Sequence, residues 1–223
     1  MPRRTKAAEP MLVPDSISRQ PQQGRSKASL GRMLGAAEKL MLERGNEEFT
    51  LQEVSKAGKV SIGSIYLRFE SKDNLVRAVI ANELERIAAD EATMMAEVVD
   101  ASPDLAAFMP RYVEAYAEVL RQHAPLLRLS MQRASFDPLV SEPGKQRAFR
   151  SEEAAVAAML RYRAEFCGNR HEQKAKAAFN IIFATLARQL SLGSTGESAS
   201  LRDWAELKAE LGRMCLTYLK QAE

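Results

Sequence analysis

Histidine and cysteine are scarce, two of each among 223 residues, and that scarcity removes most enzyme classes. His123 and His171 belong to no catalytic or metal-ligating motif. Cys167 and His171 stand four apart, but Gly168 and Asn169 between them read as a helix end rather than as a metal-ligand spacing. Neither a phosphate-cradling glycine loop nor a nucleophile elbow occurs. The expectation is therefore a non-enzyme with no metal and no cofactor. Long apolar runs are also missing: none reaches membrane-span length without a charge, and no apolar stretch follows the basic start as in a secretory signal. A cytoplasmic protein with no membrane partner is expected, its two thiols reduced. Proline is absent between Gln22 and Ser102, so helices there have nothing to break them.

What is present is a protein with enough apolar residues, 46%, to bury a sizeable core, and with its positive charge at one end. The net charge of +3 divides into +5 over residues 1–80 and −2 over the remainder. In the basic part, Leu30, Met33, Leu34, Ala37, Leu40 and Met41 recur at three- and four-residue steps until Gly45, which marks a first helix. Thr50-Leu51-Gln52-Glu53 is a capping box opening a second, with Gly58 as its stop. Ser61 and Ser71 are N-cap residues ten positions apart, so two further helix starts crowd polar donors together. Lys72, a cation in the first turn of a helix, opposes the macrodipole unless an anion lies between them. DNA phosphate supplies such an anion. Leu34, Val54, Ile65 and Phe69 form the small core of this helix-turn-helix.

Over residues 29–80 the sequence resembles the tetracycline-repressor-like (TetR/AcrR) family of bacterial regulators. Thr50, Val54, Val60, Ser61, Gly63, Ser64, Ile65, Tyr66, Phe69, Ser71, Lys72, Asp73 and Leu75 fall in the register of that family's motif, joining core, cap and contact positions. Three positions depart from it. Lys59 takes the place of the usual turn glycine, with Gly58 one step earlier, so either Lys59 adopts a positive φ or the turn is rearranged. Ser55 replaces a small alanine and fits if its hydroxyl bonds back to the helix. Arg68 replaces His or Tyr with a permanent planar donor fork. The resemblance implies that the Ser61 helix lies in the major groove of a double-stranded operator, with Ile62, Gly63 and Ser64 at base edges. It also implies that Thr50, Gln52, Tyr66, Arg68 and Lys72 meet the DNA nearby, chiefly at phosphates.

The rest reads as helix nearly throughout, giving an all-α fold: a basic tail over residues 1–24, a helix-turn-helix domain over 25–72 and a helical domain over 73–223. The tail is either solvated or an arm that touches the minor groove. Leu75, Val79, Ile80, Leu84 and Ile87 carry a fourth helix towards Val99, and Ser102-Pro103-Asp104 resets the chain. Prolines 103, 110, 125, 138 and 143 then predict helices of about 104–121, 125–134 and 144–167. A helix within 171–192 is apolar on nearly every side, and Leu201, Trp204, Leu207, Leu211, Met214, Cys215 and Tyr218 stripe a last one. Surplus apolar surface on these two points to a homodimer seam through Phe179, Ile182, Phe183, Leu186, Leu190, Trp204, Leu207, Leu211 and Met214, the alternative being an internal helix pair. The family resemblance implies the same seam, and a two-fold dimer requires a near-palindromic operator. Met109, Tyr112, Tyr116, Met131, Phe136, Phe149, Phe179 and Phe183 suit either plain core or the wall of a cavity. The resemblance implies the cavity, holding a small-molecule effector that releases a repressor from DNA. Two alternatives stay open: a DNA-binding regulator controlled by a protein partner, and a helical-bundle enzyme or carrier.

Overall fold

The computed structural model describes residues 24–190, 192 and 203–222, and among them finds eight α-helices and no strand. The predicted basic tail, apart from Gly24, and Leu201 of the last stripe lie outside the described residues. The chain divides into two compact units, one through Asn82 and the other from Glu83.

In the first unit, α1 (Gly24–Arg44) buries Leu30, Met33, Leu34, Ala37 and Met41, the predicted face, and gives way at Gly45 with φ 66°. Helix α2 (Leu51–Gly58) opens on the full capping box: the Thr50 hydroxyl accepts from the Glu53 amide at 3.2 Å, and Glu53 accepts from the Thr50 amide at 2.7 Å. The turn that follows is made by Lys59 at φ 49°, ψ 47°, the left-handed region normally left to glycine. Gly58 is needed for a different reason. A Cβ there would lie 2.9 Å from the Arg32 carbonyl oxygen, so α2 crosses α1 at backbone contact. Ser55 does not bond back into its helix as expected: its hydroxyl donates forward across the turn to the Val60 carbonyl at 2.6 Å, because the left-handed residue brings that oxygen within reach. Helix α3 (Ile62–Arg68) is N-capped by Ser61, and α4 (Lys72–Asp100) by Ser71, which accepts from the Asn74 amide at 3.2 Å.

The second unit is built around α5 (Leu105–Ala134), capped by Asp104. The predicted helices 104–121 and 125–134 are one helix that runs through Pro125, which corrects the break expected between 121 and 125, and Pro110 also lies inside it. An internal proline costs about 3 kcal/mol of local helix stability. Phe108, Met109, Tyr112, Val113, Tyr116 and Leu120 keep one buried register across Pro110, and Ala124, Leu126 and Leu129 continue burial around Pro125. Each large apolar side chain there contributes about 1.5–3 kcal/mol, so packing outweighs the proline. The same holds for α6 (Pro138–Leu160), which starts on Pro138 at its first turn, runs through Pro143 and ends before the predicted 167, in a 3-10 turn at Arg163–Glu165. Helices α7 (His171–Gln189) and α8 (Trp204–Lys220) complete the core, with the start of α7 held against the end of α8 by Cys167 N–H donating to Leu219 O at 3.1 Å. Phe108, Tyr112, Tyr116, Phe179 and Phe183 follow one another through this core at centroid distances of 5.5–6.1 Å, stacked except for the tilted Tyr116–Phe179 pair. No helix among the described residues is long and apolar enough to cross a membrane.

Candidate nucleic-acid interface and inner cavity

Helix α3 is only seven residues long, and its two faces differ sharply. Ile65 is wholly buried, Phe69 just beyond the helix is likewise buried, and Ile62 is half-buried. The opposite face carries exposed Gly63, Tyr66 and Leu67, the last two 59% and 70% exposed. Nothing lies within 4 Å of a Cβ built on Gly63, so another surface could approach the backbone there. A helix this short with so many wet apolar atoms is held by its caps and by the buried pair, and it presents Tyr66 and Leu67 to whatever lies outside.

The predicted contact residues are not equally available. The Ser61 and Ser64 hydroxyls bond each other at 2.7 Å, and Ser61 also accepts from the Ser64 amide at 3.1 Å. Ser64 is thus partly occupied by the cap. Thr50 is exposed, but its hydroxyl donates to Glu53 at 3.0 Å while accepting the Glu53 amide, so the capping box uses both functions. Gln52, in the first turn of α2, is exposed. Lys72 requires a correction. Its ammonium donates to the Glu47 carbonyl at 2.9 Å and sits 5.3 Å from the centre of the Phe49 ring, so the macrodipole penalty is met inside the unit without an external anion. Two further N–H bonds of the ammonium can still point outward. Arg68 is half-buried at the end of α3. Arg44 pairs with Glu53, whose carboxyl is held down at about 2 by the Arg44 guanidinium and then by the Thr50 amide and hydroxyl. Leu67 was missed by sequence reading: nothing in the helical period separates an exposed leucine from a core one when the helix is two turns long.

The second unit holds a cavity of about 670 Å³ between α4, α5 and α6. Tyr112 and Tyr116 of α5 line it, with Met94, Met95 and Val99 on the α4 side. Alanines at 88, 92, 96, 154, 157 and 158 on the two flanking helices leave the space. Arg147 of α6 meets Glu91 of α4 in a close ion pair, and the Ser151 hydroxyl donates to the same carboxylate at 2.7 Å. Burial holds the Glu91 carboxyl above its ordinary range against the pull of Arg147, and burial raises the Tyr112 and Tyr116 phenols. Of the residues predicted for such a cavity, these two tyrosines line it. Met109 and Phe179 are buried in the core, and Met131 and Phe183 pack against that core. Phe136 and Phe149 are 70% and 65% exposed, which corrects their assignment: Phe136 falls in the joint between α5 and α6, beneath Arg133, and Phe149 lies on the outer side of α6.

The expected seam is redistributed in the same way. Phe179, Ile182, Leu186, Leu190 and Leu211 are buried in the chain's own core and cannot reach a partner, whereas Trp204, Leu207 and Phe183 are half-buried. The wet apolar positions of α7 and α8 include Ile181, Ala184, Met214 and Tyr218, with Met214 62% exposed. Among the described residues no group of histidines, cysteines and carboxylates could hold a metal ion, and Cys215 is buried.

Residues 33–79 match the family model described as bacterial regulatory proteins, tetR family. No curated protein matches the chain. Its fold is similar to several solved structures. A transcriptional regulator from Cytophaga hutchinsonii is 20% identical with a TM-score of 0.63, over 86% of this chain and 98% of the other. A TetR transcription regulator from Haloarcula marismortui is 16% identical with a TM-score of 0.62, over 86% and 97%. GusR of Salmonella enterica is 22% identical with a TM-score of 0.60, over 86% and 96%. At these identities the likeness carries the all-α architecture along nearly the whole length.

Proposed function

We propose that the chain, whose residues 33–79 match the tetR family of bacterial regulatory proteins, binds DNA through that segment and is a homodimeric transcriptional repressor that a small molecule releases from a near-palindromic operator. The observation that carries the DNA-binding part is the outward face of α3, where Gly63, Tyr66 and Leu67 project from a helix whose other side is sealed by Ile65 and Phe69. In a major groove, Leu67 and Ile62 offer apolar contact to thymine methyls, while the Tyr66 hydroxyl and the Arg68 guanidinium reach phosphates. Gln52 and the outward N–H groups of Lys72 flank them.

Dimerisation uses the apolar face that α7 and α8 leave uncovered, at Ile181, Ala184, Met214 and Tyr218. The effector occupies the cavity beside α4, a helix that begins at Lys72 in the DNA-binding unit and walls the cavity between residues 88 and 99. A ligand that prefers one placement of α4 shifts the spacing of the two reading heads, and the operator is lost by linkage.

Fluorescence anisotropy on the DNA immediately upstream of the gene tests the reading. Tyr66→Ala and Arg68→Ala should each weaken binding about tenfold or more, and Arg68→Ala should lower the salt slope by about one. Unchanged binding in both variants would refute the assigned contacts. Met214→Asp should yield a monomer in sedimentation that no longer binds the full site.

A further inference from the structure

The charges around the cavity are lopsided. Its lining includes three arginines, Arg147 and Arg150 of α6 and Arg161 just past its end, against one carboxylate, Glu91, which pairs with Arg147. Arg147 is the mostly buried one. It meets Glu91 through one terminal nitrogen only, while its Nε is buried with no acceptor. A buried donor left unfilled is costly, and the two side-by-side N–H bonds of a guanidinium match the two oxygens of a carboxylate. Glu91 does not use that side-on arrangement, because its oxygen is shared with the Ser151 hydroxyl. Burial further disfavours charge on Glu91, which weakens its hold on Arg147 relative to a ligand that brings its own charge into place. Opposite these polar groups the lining is apolar, with the rings of Tyr112 and Tyr116 and the adaptable side chains of Met94 and Met95.

We infer that the effector is an amphipathic organic acid, its apolar body lying on Tyr112, Tyr116, Met94 and Met95 and its carboxylate taking the Arg147 fork side-on in exchange for Glu91. This rests on the reading of the cavity as the effector site. A neutral compound leaves the Nε unfilled, and a cation meets the Arg147 guanidinium. Acid, amide and amine with the same apolar body should therefore bind in that order.

The test is titration calorimetry on the full chain with phenyloctanoate, its primary amide and its amine. The acid should bind about tenfold more tightly than the amide, with the amine weakest. Arg147→Gln should bring the acid down to the amide, and Arg147→Lys should recover part of the difference. Glu91→Gln serves as a second probe that does not depend on Arg147→Gln folding: it leaves the fork in place, removes the competing charge and should tighten the acid several-fold without changing the amide. Equal acid and amide affinities, an acid preference that survives Arg147→Gln, a Glu91→Gln protein that binds the acid more weakly, or no binding of any of the three overturns the inference. Operator binding, followed in parallel, separates it from the repressor reading. Arg147-dependent acid binding that leaves the DNA complex intact upholds the ligand class and refutes release. Release by amide or amine as effective as by the acid does the reverse.

Discussion

Replacing Lys59 with glycine should make the DNA-binding unit more stable, although it deletes a long side chain and touches no core residue. Lys59 holds φ 49°, ψ 47°, where the Cβ of an L-residue crowds the following carbonyl at a cost of about 1–2 kcal/mol. Glycine removes that cost but also frees the unfolded chain, which returns roughly 0.4–1 kcal/mol. The net is a gain of about 0.5–1 kcal/mol. No hydrogen bond of the turn is lost, since the bonds from Lys59 N–H, Val60 N–H and the Ser55 hydroxyl involve backbone atoms or Ser55. The neighbouring position should behave oppositely. Gly58→Ala places a methyl 2.9 Å from the Arg32 carbonyl oxygen and 3.2 Å from the Ala36 Cβ, and overpacking of this kind costs about 1–3 kcal/mol. Native-state amide exchange at Val54 and Ile65 is the suitable assay, because two structural units make a single melting temperature ambiguous. Lys59→Gly should slow exchange about two- to fivefold and Gly58→Ala should speed it at least fivefold. Faster exchange in Lys59→Gly, or none of the predicted loss in Gly58→Ala, would refute the account of this turn.

Gly212→Val should destabilise the second unit by about 2–3 kcal/mol, seen as a lower urea midpoint: a Cβ at Gly212 already meets the Pro110 Cα at 3.2 Å, and a branched side chain has nowhere to go between α8 and α5. Burial pushes the Cys215 thiol up to about 11, so at pH 8 only about a thousandth is thiolate and a disulfide reagent should titrate the half-exposed Cys167 quickly and Cys215 only on unfolding; two fast thiols would contradict this. Glu53 is held at about 2, below its unfolded value, so its contribution to stability is complete above the ordinary carboxylate range and is lost as pH falls towards 2. Arg44→Gln should raise the Glu53 pKa measured by carboxyl NMR, while leaving it below the ordinary value because the Thr50 donors remain.

Sequence alone determined the features that depend on a few neighbouring residues. Thr50 with Glu53, Ser61 and Ser71 announced three helix starts, because a cap is an interaction across three residues and its chemistry is local. Lys59 beside Gly58 marked the turn, and a left-handed residue is one of the two outcomes the local sequence left open. The buried face of α1 followed from helical spacing. Tertiary structure decided what depends on partners distant in the chain. Pro125 read locally as a break but lies with Pro110 in one helix, because the continuous buried face of α5 against the rest of the core outweighs two missing amide donors. Phe136 and Phe149 are the same residue type as core aromatics, and only the joint between α5 and α6 and the outer side of α6 leave them exposed. The cavity was illegible for the same reason: Glu91 and Arg147 are 56 residues apart, neither forms a motif with its neighbours, and their charges acquire meaning only where α4 and α6 bring them together, mostly buried.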